Sequence, residues 1–231
     1  MQNFNASVFR IQIVSLAIFD LDHTLLAGDS DHSWGEFLVE QEVVDPSFYK
    51  RQNDYFYEQY KAGTLDIHEY LAFTLKPLTE HSLETVNKLR EQFLEEKIKP
   101  IITQKSVDLL NEHRNKGDQL LIITATNAFV TRPIAEMLGV DELIAPEPEM
   151  LNGAYTGKIT GIPSFKDGKV TRLDMWLKEH NQSLEGAYFY SDSHNDLPLL
   201  EYVDNPVAAN PDEKLTAVAE QNNWPIISLL D

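Results

Sequence analysis

The apolar run Ile13-Val14-Ser15-Leu16-Ala17-Ile18-Phe19 stops on two acids, Asp20 and Asp22, with only Leu21 between them. Nearly every position of the run is β-branched or otherwise apolar, the pattern of a strand covered on both faces. Such strands belong to parallel sheets, where ligands sit beyond the carboxyl ends of the strands. A strand over 12–20 therefore puts Asp20 at the mouth of a site. Asp22 projects to the same side if the extended path continues past Asp20. Carboxylates held that close repel unless a cation or a proton intervenes.

Two other runs have the same character: 119–124, ending on Thr124, and 186–191, which leads directly into Asp192. Shorter strand candidates cover 143–145, 206–209 and 225–228, and helical spacing covers 104–116, 129–138, 167–180, 196–203 and 212–222. Strands alternating with helices imply an α/β fold, here a parallel-sheet, Rossmann-like core. Asp20, Thr124 and Asp192 then share the same end of the sheet.

Residues 30–99 are of another kind: no convincing strand, many aromatics, and Trp34, Phe37 and Leu38 at helical spacing. Tyr55-Phe56-Tyr57-Glu58-Gln59-Tyr60 reads as part of a helix, and 65–75 as another, ended near Pro77 by ring sterics. The expected organisation is a discontinuous core, 1–29 and 100–231, with a helical cap over 30–99 inserted after the first strand like a lid. Asn152-Gly153 is a turn signal and suggests a hairpin spanning 148–160.

A chain of 231 residues with 42% hydrophobic content can bury a real core. Nineteen Lys and Arg against 37 Asp and Glu give a formal net charge of -18, which repels nucleic acid and anionic membrane surfaces. An anionic substrate must be drawn in by a local positive site such as a divalent ion. With no cysteine there is no disulfide and no thiolate metal site, and a cytoplasmic address is expected. The N-terminal stretch lacks a basic leader and a small-x-small cleavage pattern, and no run approaches transmembrane length. Asp29-Ser30-Asp31-His32-Ser33 with Glu40 imitates a calcium loop, but Trp34 stands where the sharp turn needs glycine. The seven histidines show no paired spacing on one helix face, and no P-loop, dinucleotide fingerprint or nucleophile elbow occurs.

Taken in order, Asp20-x-Asp22-x-Thr24, Thr124 after an apolar strand, Lys169, and Asp192-x-x-x-Asp196 resemble the haloacid dehalogenase superfamily, and within it the phosphoserine phosphatase-like branch. The resemblance covers 13–29 and 104–210. It implies an Mg²⁺-dependent phosphomonoester hydrolase acting on a small phosphorylated metabolite. Asp20 would be the nucleophile that becomes an aspartyl-phosphate. Asp22 would protonate the leaving oxygen and then deprotonate water. Thr124, amides adjacent to it such as that of Ala125, and Lys169 would hold the phosphate oxygens. Mg²⁺ would take Asp20, the Asp22 carbonyl, Asp192 and waters, while Asp196 would hold Lys169 or a metal-bound water. Lys166 competes with Lys169, but Lys169 opens the periodic segment Val170, Leu173, Trp176, Leu177.

Alone, Thr124 reads as a strand-end hydroxyl and Lys169 as a solvated helix lysine; their place in the series lifts both. His23 and His194 read as polar groups beside the pocket, and the cap aromatics as core.

Seven positions past Asp22, Asp29 stands where the branch places a glutamate that holds the substrate amine. The branch's carboxylate-clamping arginine has no counterpart, since no Arg occurs between Arg51 and Arg90. An unpaired substrate carboxylate is costly in a closed site. An amine-bearing phosphomonoester without a carboxylate fits better. Histidinol phosphate, of amino-acid biosynthesis, is the favoured substrate, its imidazole stacking on Tyr57 or Tyr60, with phosphoserine next. The rivals are a receiver-like phosphoacceptor domain, which would want its acceptor on a middle strand and needs no Asp22, and a phosphotransferase with an acceptor other than water.

Overall fold

A computed structural model describes residues 15–230. Residues 12–14 of the expected first strand lie outside the described residues. In chain order the elements are β1 (Leu16–Phe19), α1 (Ser30–Glu40), α2 (Pro46–Ala62), α3 (Ile67–Thr74), α4 (Lys76–Glu80) and α5 (Leu83–Phe93). After a π-helical turn (Leu94–Ile98) and a 3₁₀ turn (Lys99–Ile101) come α6 (Gln104–Lys116), β2 (Gln119–Ile123), α7 (Ala128–Met137) and β3 (Glu142–Ile144). Then follow β4 (Glu147–Leu151), β5 (Ala154–Thr160), α8 (Asp167–His180) and β6 (Tyr188–Ser191). A 3₁₀ turn (His194–Asp196), α9 (Leu197–Leu200), β7 (Asn205–Ala209), α10 (Glu213–Asn222) and β8 (Ile226–Ile227) complete the order.

Six strands form one sheet in the order β3-β2-β1-β6-β7-β8, every pair parallel. Period-two alternation divides the core between its faces. Ala17, Phe19, Leu120, Ile122 and Tyr190 pack on one side, with α1, α6 and α7 residues. Leu16, Ile18, Leu121, Ile123 and Phe189 pack on the other, with α8, α9 and α10 residues. Phe19 pairs with Ile122 and with Tyr190, so the ends of three central strands line up. The antiparallel pair β4-β5 is the hairpin expected from Asn152-Gly153. β1 is first in the chain yet lies in the middle of the sheet, so strand position does not separate the chain from a receiver-like domain.

Four of the five helices of 30–93 begin on side-chain caps: Asp29 for α1, Asp45 for α2, Asp66 for α3 and Ser82 for α5. α2 ends on Gly63 in the left-handed region, φ 77°. Pro77 ends α3 as expected but also opens α4, whose first turn tolerates its missing N–H. Pro133 lies inside α7, where it leaves the Phe129 carbonyl without its helical donor; Arg90 Nη1 donates to that oxygen at 3.0 Å.

Two expectations change. The extended path does not continue to Asp22: Asp20 N donates to Tyr190 O, and then the chain turns, with Leu25 N and Leu26 N donating to Leu21 O and His23 at φ 56°. Strand alternation therefore does not place Asp22. The helix expected over 196–203 is shortened to α9 behind a Ser193-capped 3₁₀ turn, because the chain must re-enter the sheet at Asn205, whose N–H donates to Ala187 O. Among the described residues no helix is long and apolar enough to cross a membrane.

Candidate active site

Lys169 sits in the first turn of α8, 2% exposed, and its Nζ donates to Asp20 Oδ1 at 2.7 Å and to Asp196 Oδ2 at 2.6 Å. Asp196 Oδ2 also accepts from Ser191 Oγ at 2.7 Å, at the end of β6. Lys166 faces elsewhere and donates to Gly63 O at 2.8 Å. Asp192 is tied to the turn after β1: Thr24 Oγ1 donates to Asp192 Oδ1 at 3.2 Å and accepts from Asp192 N at 3.0 Å. Asn210, just past β7, holds that turn by donating to His23 O at 2.7 Å.

The turn aims Asp22 at two donors, Ser30 N at 2.6 Å, at the start of α1, and Thr126 Oγ1 at 2.8 Å, after β2. Thr124 Oγ1 accepts from Thr126 N at 3.1 Å, and Thr124 O accepts from Ser164 Oγ at 2.6 Å, so the loop after β2 is braced from within. Sequence reasoning missed Thr126, Ser30, Ser164 and Ser191.

Burial dominates the electrostatics. It pushes Asp20 upward against the opposing pull of Lys169, with Asp196 and Asp22 adding to the rise. It raises Asp22 to about 6, with the nearby Asp29 contributing and the Ser30 and Thr126 donors opposing. It raises Asp192 strongly, reinforced by Asp20 and Asp196. Burial works against the charge of Lys169, but Asp196 and Asp20 outweigh it and keep the ammonium protonated.

Three buried carboxylates, Asp20, Asp192 and Asp196, and the partly buried Asp22 thus gather around one buried ammonium. That donor set is all oxygen and short of positive charge. Among the described residues no three His, Cys, Asp or Glu side chains gather into a ready metal cage. Mg²⁺ does not need one, because it keeps several waters and uses one or two carboxylates. Asp20, Asp192 and the Asp22 carbonyl suit it.

An enclosed space of about 40 Å³ adjoins these groups, lined by Asp20, Asp22, Thr124, Ala125, Thr126, Lys169 and Asp196 at the sheet end. Its far walls come from α1, α2 and α3: Asp29, Asp31, Phe56, Tyr57, Tyr60 and Tyr70. Asp29 Oδ1 accepts from Asp31 N at 2.9 Å and His32 N at 2.8 Å, which makes it the α1 cap. No arginine lines the space. Arg51 packs over the Phe48 ring and Arg90 over Phe129. His23 and His194 line a neighbouring cleft of about 600 Å³, together with Asp192.

Acids at the ends of parallel strands, with a buried lysine between them, suit phosphoryl chemistry, and the likeness of this α/β protein to known hydrolases makes it a phosphatase. The chain belongs to the haloacid dehalogenase-like hydrolases, whose family model matches residues 17–201. It is 42% identical over 218 residues to a histidinol-phosphatase of Neisseria meningitidis serogroup C, covering 93% of this chain and 98% of that protein. A crystal structure of a protein of unknown function from Bordetella pertussis Tohama I is similar at TM-score 0.89 and 43% identity, over 94% of this chain and 100% of that one. A substrate-bound phosphoserine phosphatase shares the fold at TM-score 0.68 and 18% identity, over 94% and 93% of the two chains.

Proposed function

We propose that the protein hydrolyses histidinol phosphate, or an amine-bearing phosphomonoester close to it, in amino-acid biosynthesis. The observation that carries this is the sorting of charge in the enclosed space. Its one lysine lies at the sheet end, while the residues of 29–70 that line it bring two acids, His32, Asn53 and aromatic rings but no lysine or arginine. A phosphate fits the first end and an organic cation the second. A substrate carboxylate, as in phosphoserine, finds no arginine or second lysine there. The name of the Neisseria relative agrees.

Asp20 attacks phosphorus and carries the phosphoryl group as an aspartyl-phosphate, splitting one displacement into two. Lys169 neutralises charge on the transferring oxygens, and Asp196 and Ser191 hold it in place. Thr124 and the amides after it offer donors to the same oxygens. Asp22, raised to about 6, gives its proton to the leaving alkoxide and later takes one from water. Asp20, Asp192 and the Asp22 carbonyl would hold Mg²⁺, which would supply the remaining positive charge.

Residues 30–99 act as the cap. Three core side chains donate to the last carbonyls of α2: Asn195 Nδ2 to Tyr60 O at 3.1 Å, Lys166 Nζ to Gly63 O at 2.8 Å and Lys214 Nζ to Ala62 O at 3.4 Å. In this arrangement the helices of 30–99 leave only a narrow space of about 40 Å³ above the sheet end. Substrate entry requires those helices to lift.

A panel of phosphomonoesters assayed with Mg²⁺ tests the assignment. Histidinol phosphate is expected to show the highest kcat/KM, with phosphoserine well below it, and Asp20→Asn to abolish turnover of all. Faster turnover of phosphoserine would overturn the substrate; burst labelling without continued phosphate release would favour the receiver-like rival.

A further inference from the structure

We propose that Asp31, not the capping Asp29, receives the positive charge of the substrate and sets its specificity. The inference rests on the amine-bearing substrate class proposed above. Asp31 is in the first turn of α1, 3% exposed, and its carboxylate lines the enclosed space opposite Lys169. Neither of its oxygens has a hydrogen-bond partner. Asp29 differs: its Oδ1 already accepts two α1 amides.

A carboxylate that is buried and unpartnered is unfavourable unless something supplies donors or opposite charge. Within the space the only lysine is Lys169, and that ammonium is committed to Asp20 and Asp196. The Tyr70 hydroxyl is close enough to pull the proton affinity of Asp31 down, but it brings no charge and completes no well-formed hydrogen bond to either oxygen. A guest is therefore the remaining source. The guest must carry N–H donors and a positive charge, and it must be flat or apolar beside that charge, because Phe56, Tyr60 and Tyr70 form the adjoining wall. An ammonium next to an aromatic ring meets both conditions. Without a guest the group avoids a buried charge by holding its proton: burial, then the neighbouring Asp29, raises it to about 8.

The test compares KM on the Mg²⁺-loaded enzyme for histidinol phosphate and for phenyl phosphate, which has a ring and no cation. Asp31→Asn is expected to raise KM for histidinol phosphate by about tenfold to a hundredfold, the range for a lost charged hydrogen bond, and to leave KM for phenyl phosphate nearly unchanged. Asp29→Ala is expected to raise both through loss of the α1 cap. Equal effects of Asp31→Asn on both substrates, or none on histidinol phosphate, would overturn the assignment. Should Asp31→Asn fail to fold, Asp31→Ser carries the same expectation. On the wild type, histidinol is expected to inhibit phenyl phosphate turnover more strongly than its uncharged deamino analogue, and equal inhibition would also overturn it. The two proposals fail separately. A wild type without preference for cationic phosphomonoesters sinks the substrate class; a preference that survives in Asp31→Asn sinks only the role of Asp31.

Discussion

Thr126 Oγ1 donates to Asp22 Oδ2 at 2.8 Å, joining the loop after β2 to the turn after β1 across 104 positions of sequence. With Ser30 N on the other oxygen, that bond fixes the direction of the carboxylate proposed to handle the proton. Thr126→Val keeps the shape and removes the donor. Because the bond orients a group that acts in the transition state, kcat is expected to fall by about tenfold with KM little changed. Steady-state kinetics on histidinol phosphate check this; a rise in KM alone would mean that Thr126 serves binding.

Metal loading is expected to stabilise the fold as well as enable turnover. Asp20 raises the proton affinity of Asp192, and Asp196 that of both, in a site short of positive charge. A divalent ion that binds only the native state shifts unfolding by about 2.7 kcal/mol at one hundred times its dissociation constant. Melting followed against Mg²⁺ concentration should show a saturable rise that Asp192→Asn removes. Chelation with EDTA should abolish turnover, and added Mg²⁺ should restore it. An equal rise in Asp192→Asn would place the ion elsewhere.

Gly168 sets the position of Lys169. A Cβ on residue 168 would lie 2.2 Å from the Pro163 carbonyl oxygen, backbone against backbone, so the start of α8 would have to move. Gly168→Ala is expected to cost about 1–3 kcal/mol of stability. It should also lower kcat more than Gly157→Ala, whose added Cβ meets only the Thr79 side chain at 3.2 Å. Paired denaturant melts and kcat values test this. Unchanged kcat in Gly168→Ala would uncouple the α8 start from catalysis.

The acids at strand ends were legible in the sequence because one local pattern, an apolar run stopping on a polar residue, marks each of Asp20, Thr124 and Asp192. Lys169 was legible from the periodicity of α8. Asp22 was legible as a residue but not in its placement, since a turn with His23 at φ 56° replaces the strand that alternation assumes. Thr126 and Ser164 were hidden because their partners lie far off in sequence. Asp31 had a signal that went unused. It stands one turn ahead of Trp34 and two ahead of Leu38, on the buried face of α1, whereas an acid in a first helical turn ordinarily reads as a solvated partner of the helix dipole.

That buried position gives Asp31 a second, substrate-independent consequence. Its raised proton affinity means that around pH 5–7 the folded protein holds a proton the unfolded chain has released. Stability from this group therefore falls as pH rises from about 4, the unfolded value, toward 8, by about 1.4 kcal/mol per unit at most. The groups facing it are Asp29 and Asp22, which raise it further, and the hydroxyls of Tyr70 from α3, which pulls it down, and Tyr49 from α2, both of which stay protonated throughout. Asn cannot ionise, so Asp31→Asn should melt close to the wild type at pH 5 and progressively above it toward pH 8. A specificity residue held at the expense of stability behaves this way. Melting curves of both proteins over pH 5–8 decide it: a gap that stays constant would mean that Asp31 is paired or solvated in the folded state, and a gap that closes with rising pH would mean that its charged form is the one the fold favours.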